Sequence, residues 1–355
     1  MDTILRLVAG LIGLAVLGFL ALLLYGTLTD WKPDPVLPAE ALPGQARMDG
    51  PVDSTLSFAI WNIGYGGLGA EMDFFLDGGR HVQAPRAIQD KDLAGILDVA
   101  GGLRKTDFVL LQEVDRDAKR SYGVDQAEAI AAQLPEHEGA FAANFRVRFI
   151  PVPFTPFPFV RSMGRVHGGL ASYARYPALG AERHDFPGSY PWPKRIYHLD
   201  RCFLVQRFAA PGGKELLVIN THNSAYDDGT LKAAEMEALR AFCAEAYAAG
   251  HYVVVGGDWN QCPPDFDPKT FKRDEAAYDQ QNVPADYLPG WTWAYDGRVP
   301  TNRKVAAPYD PASTFTTVID FFLLSPNVEA LEVSGMPLDF AFSDHQPVRL
   351  TVRLR

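Results

Sequence analysis

Short apolar runs that end abruptly in chemically active residues constrain this chain more than any other feature. Residues 108–111, 216–219, 252–255 and, apart from Asp320, 318–324 are apolar over the length of a strand and give way at once to polar residues. Earlier in the chain Leu56, Phe58 and Ile60 alternate with Ser57, Ala59 and Trp61, as in a strand. Between the runs lie helix-like segments. Residues 231–249 place Leu231, Ala234, Ala238, Leu239, Phe242 and Tyr247 toward one face, and residues 88–103 end near Gly101 and Gly102. Strands alternating with helices argue an α/β domain, and 27 prolines and 31 glycines interrupt the chain too often for a long helical bundle. The pattern leaves parallel and antiparallel pairing open.

The N-terminus is of another kind. No charged residue occurs from Leu7 to Tyr25, close to the ~20 apolar residues that a helix needs to cross a bilayer core. A cleavable secretory signal would want a shorter apolar centre and an A-x-A-like site, and Gly26-Thr27-Leu28-Thr29-Asp30 is a poor one, so an uncleaved anchor is expected. Arg6 precedes the span while Asp30, Lys32 and Asp34 follow it, which puts the N-terminus in the cytoplasm and the bulk of the chain outside. Residues 31–52 carry Pro33, Pro35, Pro38, Pro43 and Pro51 without apolar periodicity and read as a semi-extended linker. The expected organisation is a stub at 1–6, a transmembrane helix at 7–25, a proline-rich linker at 26–54 and one folded domain at 55–355. Cys202, Cys243 and Cys262 match no metal-ligand spacing and are expected to be structural, with one disulfide and a spare thiol as the alternative.

The residues at the strand ends are acidic, amide or imidazole. Asn62 ends the first strand, Glu113 closes the run from Val109, and His222 closes the run from Val218. Asp258 and Asn260 follow Val253-Val254-Val255-Gly256-Gly257, Asp320 lies within its run, and Asp344-His345 precede the final strand. Six such ends can converge on one edge. Carboxylates with amides are hard oxygen donors suited to Mg²⁺ or Mn²⁺, whereas zinc would want several His or Cys at short spacing. Phosphoester hydrolysis needs a base for water, a cation for the nonbridging oxygens and a donor for the leaving oxygen, and these residue types supply all three. Singly, each has a plainer reading: Asn62 as a turn residue before Gly64, Gly66 and Gly67, Glu113 as a solvated strand end, Asp344 as a cap before Pro347, His222 as a core histidine. Asp320 is harder to explain so, because a carboxylate amid Val318, Ile319, Phe321 and Phe322 is costly to bury without a cation or an imidazole.

In chain order, Trp61-Asn62-Ile63, Leu111-Gln112-Glu113-Val114, Asn220-Thr221-His222, Gly257-Asp258-Trp259-Asn260, Val318-Ile319-Asp320 and Ser343-Asp344-His345 resemble the successive motifs of the endonuclease/exonuclease/phosphatase (DNase I-like) superfamily, over residues 56–355. Any one of these is short enough to arise by chance; the ordered set is not. The resemblance implies a four-layer α/β sandwich of two mostly antiparallel sheets flanked by helices. It implies that Glu113 ligates Mg²⁺ or Mn²⁺, with Asn62 helping to hold metal or phosphate and Asp344 at the metal or a second metal. It further implies that Asp258 orients or deprotonates the attacking water, that Asn260 donates to the phosphoryl oxygens, and that His222 does the same or protonates the leaving group. Asp320 and His345 would form a hydrogen-bonded pair in which the carboxylate fixes the imidazole tautomer. Weaker substrate-side candidates are Arg201, His167, and Asn302 with Arg303; an arginine clamps phosphate bidentately, and a surface ion pair is the equal alternative. Residues 73–79, Asp-Phe-Phe-Leu-Asp-Gly-Gly, suggest a substrate-side loop of unassigned chemistry.

The substrate follows less directly. A net charge of −10 argues against long nucleic acid, whose binding rests on Lys and Arg. Arg146, Arg148, Arg161 and Arg165 bracket an aromatic, proline-interleaved stretch that reads either as a buried strand pair with its turn or as a lipid-facing loop. With an anchor in the membrane, a lipid headgroup or small phosphodiester is the favoured substrate, in the manner of the neutral sphingomyelinase-like branch. A membrane-tethered nuclease acting on extracellular DNA or RNA is the alternative, and a non-catalytic binding module a distant third.

Overall fold

The computed structural model describes residues 2–153, 162–225, 229–267, 270–271 and 281–355. The chain runs α1 (Asp2–Thr29), β1 (Val36–Pro38), β2 (Glu40–Leu42), β3 (Thr55–Asn62), α2 (Arg86–Gly102), β4 (Phe108–Asp115), α3 (Gln126–Ala131), β5 (Glu138–Ile150), β6 (Gly164–Ala174) and β7 (Gly180–Asp185). It continues through β8 (Cys202–Ala210), β9 (Lys214–His222), α4 (Thr230–Ala248), β10 (Tyr252–Asp258), β11 (Thr292–Ala294), β12 (Asn302–Arg303), β13 (Thr316–Thr317), β14 (Asp320–Leu324), β15 (Val328–Gly335) and β16 (Val348–Leu354).

Two seven-stranded sheets result, in the orders β1-β7-β8-β9-β10-β14-β11 and β15-β16-β3-β4-β6-β5-β2. Pairing is antiparallel except at β3–β4 and β9–β10, which are parallel. The alternation read in β3 explains the stacking: Leu56, Phe58 and Ile60 point between the sheets, where they meet Val218, Val254 and Phe322 of the other sheet, while Ala59 and Trp61 point outward. The outward face of that sheet is covered by Ile96 and Ala100 of α2 and Ala127 and Ile130 of α3. Met236, Leu239 and Cys243 of α4 cover the other sheet. The layers are therefore helix, sheet, sheet, helix, as expected from the resemblance.

One expectation about organisation needs correcting. The proline-rich stretch does not simply link: β1 pairs with β7 at the edge of one sheet and β2 with β5 at the edge of the other, and Leu42 is buried in the core. Proline suits edge strands, where a missing N–H faces solvent, so the composition that argued for a linker is equally that of a sheet edge. The three cysteines are buried, with no disulfide among them. The aromatic stretch at 154–161, with Arg161, lies outside the described residues.

Candidate active site

Parallel neighbours finish at the same edge of a sheet, and this brings the predicted residues together. Asn62 and Glu113 lie at the ends of β3 and β4. In the other sheet Asp258 is in register with His222 on one side and Asp320, which opens the antiparallel β14, on the other. The Asn62 Nδ2 donates to Asp258 Oδ2 across the two sheets at 3.0 Å, so the two edges coincide.

Local backbone geometry aims these groups. The β4–β6 register slips between Leu111 and Val114, and Glu113 sits at φ +55°, a bulge that turns its side chain toward Asn62 Nδ2, 3.3 Å from Glu113 Oε1. Gly257 has φ +150°, and a Cβ there would overlap the Thr221 carbonyl oxygen, so glycine is required immediately before Asp258. Asn260 also lies at positive φ, +49°; its backbone N–H donates to Asp258 Oδ1 at 2.9 Å and its side-chain amide to the Asn223 carbonyl at 2.9 Å.

Asp258 is the hub. It is 1% exposed, and its Oδ2 lies 3.5 Å from His222 Nε2 and 3.8 Å from His345 Nε2. His345 Nδ1 is 2.8 Å from Asp320 Oδ2, the predicted carboxylate–imidazole pair. These groups open onto a cavity of about 420 Å³ whose wall includes Glu113, Arg201, His222, Asp258, Asn260, Asp344 and His345. Phe74, Leu76 and Asp77 of the 73–79 loop line it too, which gives that loop its place beside the cleft.

Burial and crowding set the charges. Burial pushes Asp258 up to about 6 against the pull of His345, and Asp344 up to about 7, with Glu113 adding to the rise. Burial alone would lower His345, but Asp320 and Asp258 outweigh it and hold the ring protonated well above its ordinary range. His222 is held well below its ordinary range by burial, then by Arg201 and His345, and is neutral near pH ~7. The Asn302 amide nitrogen lies 2.9 Å from His345 Nε2; a protonated ring requires that amide turned over, with its oxygen toward the ring.

Two groups of donors can hold a cation. Asp258, Asp320 and His345 offer ligand atoms within 4.8 Å of one another. In that group, however, the His345–Asp320 contact is already made at hydrogen-bond distance. Glu113 and Asp344 form the other, with the Glu113 side chain 26% exposed to the cavity and Asp344 crowded by Glu113; Asn62 stands beside them, its Nδ2 toward Glu113 and its Oδ1 accepting from the Gly64 N–H at 3.0 Å. Arg120, the strongly basic neighbour, is bound bidentately to Asp115 at 2.9 and 3.0 Å. Carboxylates so placed fit a hard divalent cation.

Some candidates fare differently. Arg201 lines the cavity and donates to the His222 carbonyl at 3.1 Å. Arg303 also belongs to the cavity wall, but it is 1% exposed and its guanidinium donates to the carbonyls of Leu68, Gly69 and Met72, bracing the loop after β3. His167 is corrected: on β6 it stands edge-on to Phe141 of β5 and is not among the residues that line the cavity. Sequence reasoning missed Tyr65, at φ +44° beneath Arg120, whose guanidinium lies 3.9 Å from its ring; both line the cavity. The glycines flanking Tyr65 were the available signal.

Fold and cleft together define an α/β-sandwich phosphoester hydrolase. The chain matches the Endonuclease/Exonuclease/phosphatase family over residues 59–345 and belongs to it, a family of hydrolases acting on phosphoester bonds. Among solved structures it is similar to an endonuclease/exonuclease/phosphatase from Beutenbergia cavernae DSM 12333 (19% identity, 85% of this chain and 72% of that one, TM-score 0.56). It is also similar to the human Nocturnin catalytic domain with bound sulfate anion (16%, 86% and 97%, 0.51) and to ANGEL2, a 2′,3′-cyclic phosphatase (16%, 90% and 98%, 0.53). At these identities the likeness establishes the fold. Comparison with curated proteins by sequence finds no match.

Proposed function

We propose that this chain is a membrane-anchored, Mg²⁺- or Mn²⁺-dependent hydrolase of a lipid headgroup or small phosphodiester. The observation that carries the chemistry is the buried Asp258 carboxylate, within 3.8 Å of Asn62, His222 and His345 at the wall of an open cavity. Asp258 takes the proton of the attacking water, and its raised affinity for protons suits it to a base near neutrality. Asn260, Arg201 and neutral His222 orient the phosphoryl oxygens. His345, oriented by Asp320 and kept protonated, presents its Nε2 proton to the developing charge or the leaving oxygen. Asn62, Glu113 and Asp344 would hold the divalent cation, which when bound supplies charge neutralisation at the phosphoryl group.

A lipid substrate is supported by α1, the one helix among the described residues long and apolar enough to cross a membrane, and by the acidic net charge. On this reading α1 is retained as an anchor and the domain is extracytoplasmic. The test is a panel assay of the full chain in detergent against sphingomyelin, phosphatidylcholine, phosphoinositides, DNA, RNA and a generic diester, with and without chelator. Lipid or diester turnover that chelator and Asp258→Ala abolish supports the proposal. Cleavage of DNA or RNA with silence on lipid replaces the substrate, and a rate that survives chelation refutes the metal requirement.

A further inference from the structure

The end of α1 is held by the same loop that walls the cavity. We propose that the last turns of α1 and residues 190–201 form a collar that seats the mouth of the cleft on the bilayer that α1 crosses, so that the site takes phosphoester headgroups from its own membrane. The substrate half of this statement rests on the function proposed above; the collar does not.

Residues 2–21 are exposed without interruption, and the uncharged part of that run, residues 7–21, makes roughly 22 Å of helix, most of the thickness of a hydrocarbon core. Contact with the domain begins at once beyond them. Gly26 is buried, and a Cβ there would lie 2.9 Å from Ile196 Cδ1 and 3.1 Å from the Tyr197 hydroxyl. The Tyr197 hydroxyl donates to the Leu22 carbonyl at 3.4 Å, and the Trp192 indole N–H to Thr27 Oγ1 at 3.1 Å. Helix and domain are thus joined before the helix ends, where a flexible linker would have let the domain drift.

The cavity wall starts immediately afterwards. Asp30 lies four residues past Gly26, roughly 6 Å along the axis, and lines the cavity with Trp31, Lys32 and Pro33. Arg195 closes the same rim, its Nε 3.9 Å from Asp30 Oδ2. Trp31 is held under Arg183, 5.2 Å from its ring. The collar also has the side chains of a headgroup layer: Trp192 is 54% exposed beside Lys194 and Arg195, and an indole flanked by cations settles at the membrane–water interface. Leu76, 52% exposed, gives the cavity an apolar lip. A bilayer is the occupant because α1 is exposed, long and apolar enough to cross one, and the collar continues that surface.

The test uses the full chain reconstituted in vesicles of phosphatidylcholine, sphingomyelin and phosphatidylglycerol. Brominated acyl chains should quench a tryptophan signal that Trp192→Phe removes; absence of any Trp192 contribution overturns the collar whether or not the protein is an enzyme. Headgroup release from the protein's own vesicles should exceed release from protein-free vesicles at equal lipid by roughly a hundredfold, the gain expected of tethering. Gly26→Leu, which wedges Ile196 and Tyr197 away from the helix, should cut that excess to roughly tenfold or less. Turnover of water-soluble bis-para-nitrophenyl phosphate should not change. Equal release from both vesicle sets, with soluble turnover intact, overturns this inference and leaves the phosphoesterase reading standing. Loss of soluble turnover in the unmodified protein removes that reading instead, and quenching then decides the collar alone.

Discussion

His345 Nδ1 lies 2.8 Å from Asp320 Oδ2, and this contact joins the turn before the last strand of one sheet to the first residue of β14 in the other. The second oxygen of Asp320 is buried without a hydrogen-bond partner among the described residues. On the function proposed above, a fully buried carboxylate whose hydrogen bond goes to one imidazole would position that ring.

Asp320→Asn should therefore lower kcat/KM by roughly 10²- to 10⁴-fold with the fold retained, because the amide no longer holds the imidazole in its protonated, oriented form. Steady-state kinetics beside circular dichroism checks this. A folded variant with activity near the parent's would remove the pair from the mechanism.

Glu113→Gln should weaken the apparent affinity for Mg²⁺ by roughly 10- to 100-fold and be partly rescued by raised Mg²⁺. Because Asp344 is pushed up to about 7 and a ligating carboxylate must be deprotonated, the rise in Tm that Mg²⁺ produces should be larger above about pH 7 than near about pH 5. If Mg²⁺ instead binds unchanged to Glu113→Gln and is lost in Asp320→Asn, the cation sits in the Asp258–Asp320–His345 group.

The acid side of the kcat/KM profile should report Asp258. As a base it works only when ionised, so the rate should rise with pH through a midpoint at or below about 6, lower when a nearby cation favours the carboxylate. A midpoint above about 7 would assign that limb to another group.

Removal of residues 1–29 should leave the fold intact, whereas removal of residues 1–51 should lower Tm by about 5 °C or more and promote association. The longer deletion strips β1 and β2, bares the edges of β7 and β5, and loses the buried Leu42, whose contribution alone is about 2 kcal/mol. Thermal unfolding and light scattering of the two truncations decide it.

Gly257→Ala should destabilise by more than about 2 kcal/mol and reduce activity together with stability, since its methyl group meets the Thr221 carbonyl in a backbone conformation that alanine rarely adopts. A variant as stable as the parent would show that the strand end can shift.

Much of the site was legible because it is written at strand ends. Asn62, Glu113, His222, Asp258, Asp320 and His345 each close or open an apolar run, and the structure brings all six together. His167 does not line the cavity, and sequence could not tell this, because a histidine reads the same whether it faces a cleft or packs against a ring. Tyr65 and Arg120 stayed hidden because a left-handed backbone and a stacked guanidinium leave little local trace.

The amino-acid pattern by itself determined the apolar helix, the strands β3, β4, β9, β10 and β14, and the residue types at their ends, because hydrophobic periodicity and chain punctuation are local properties. Only the tertiary structure decided that β1 and β2 close both sheets, that Arg303 is internal, and that α1 meets the cavity rim at Gly26 to Asp30. Those outcomes depend on how two sheets stack and which edges remain unpaired, and these are set by contacts between residues far apart in the chain.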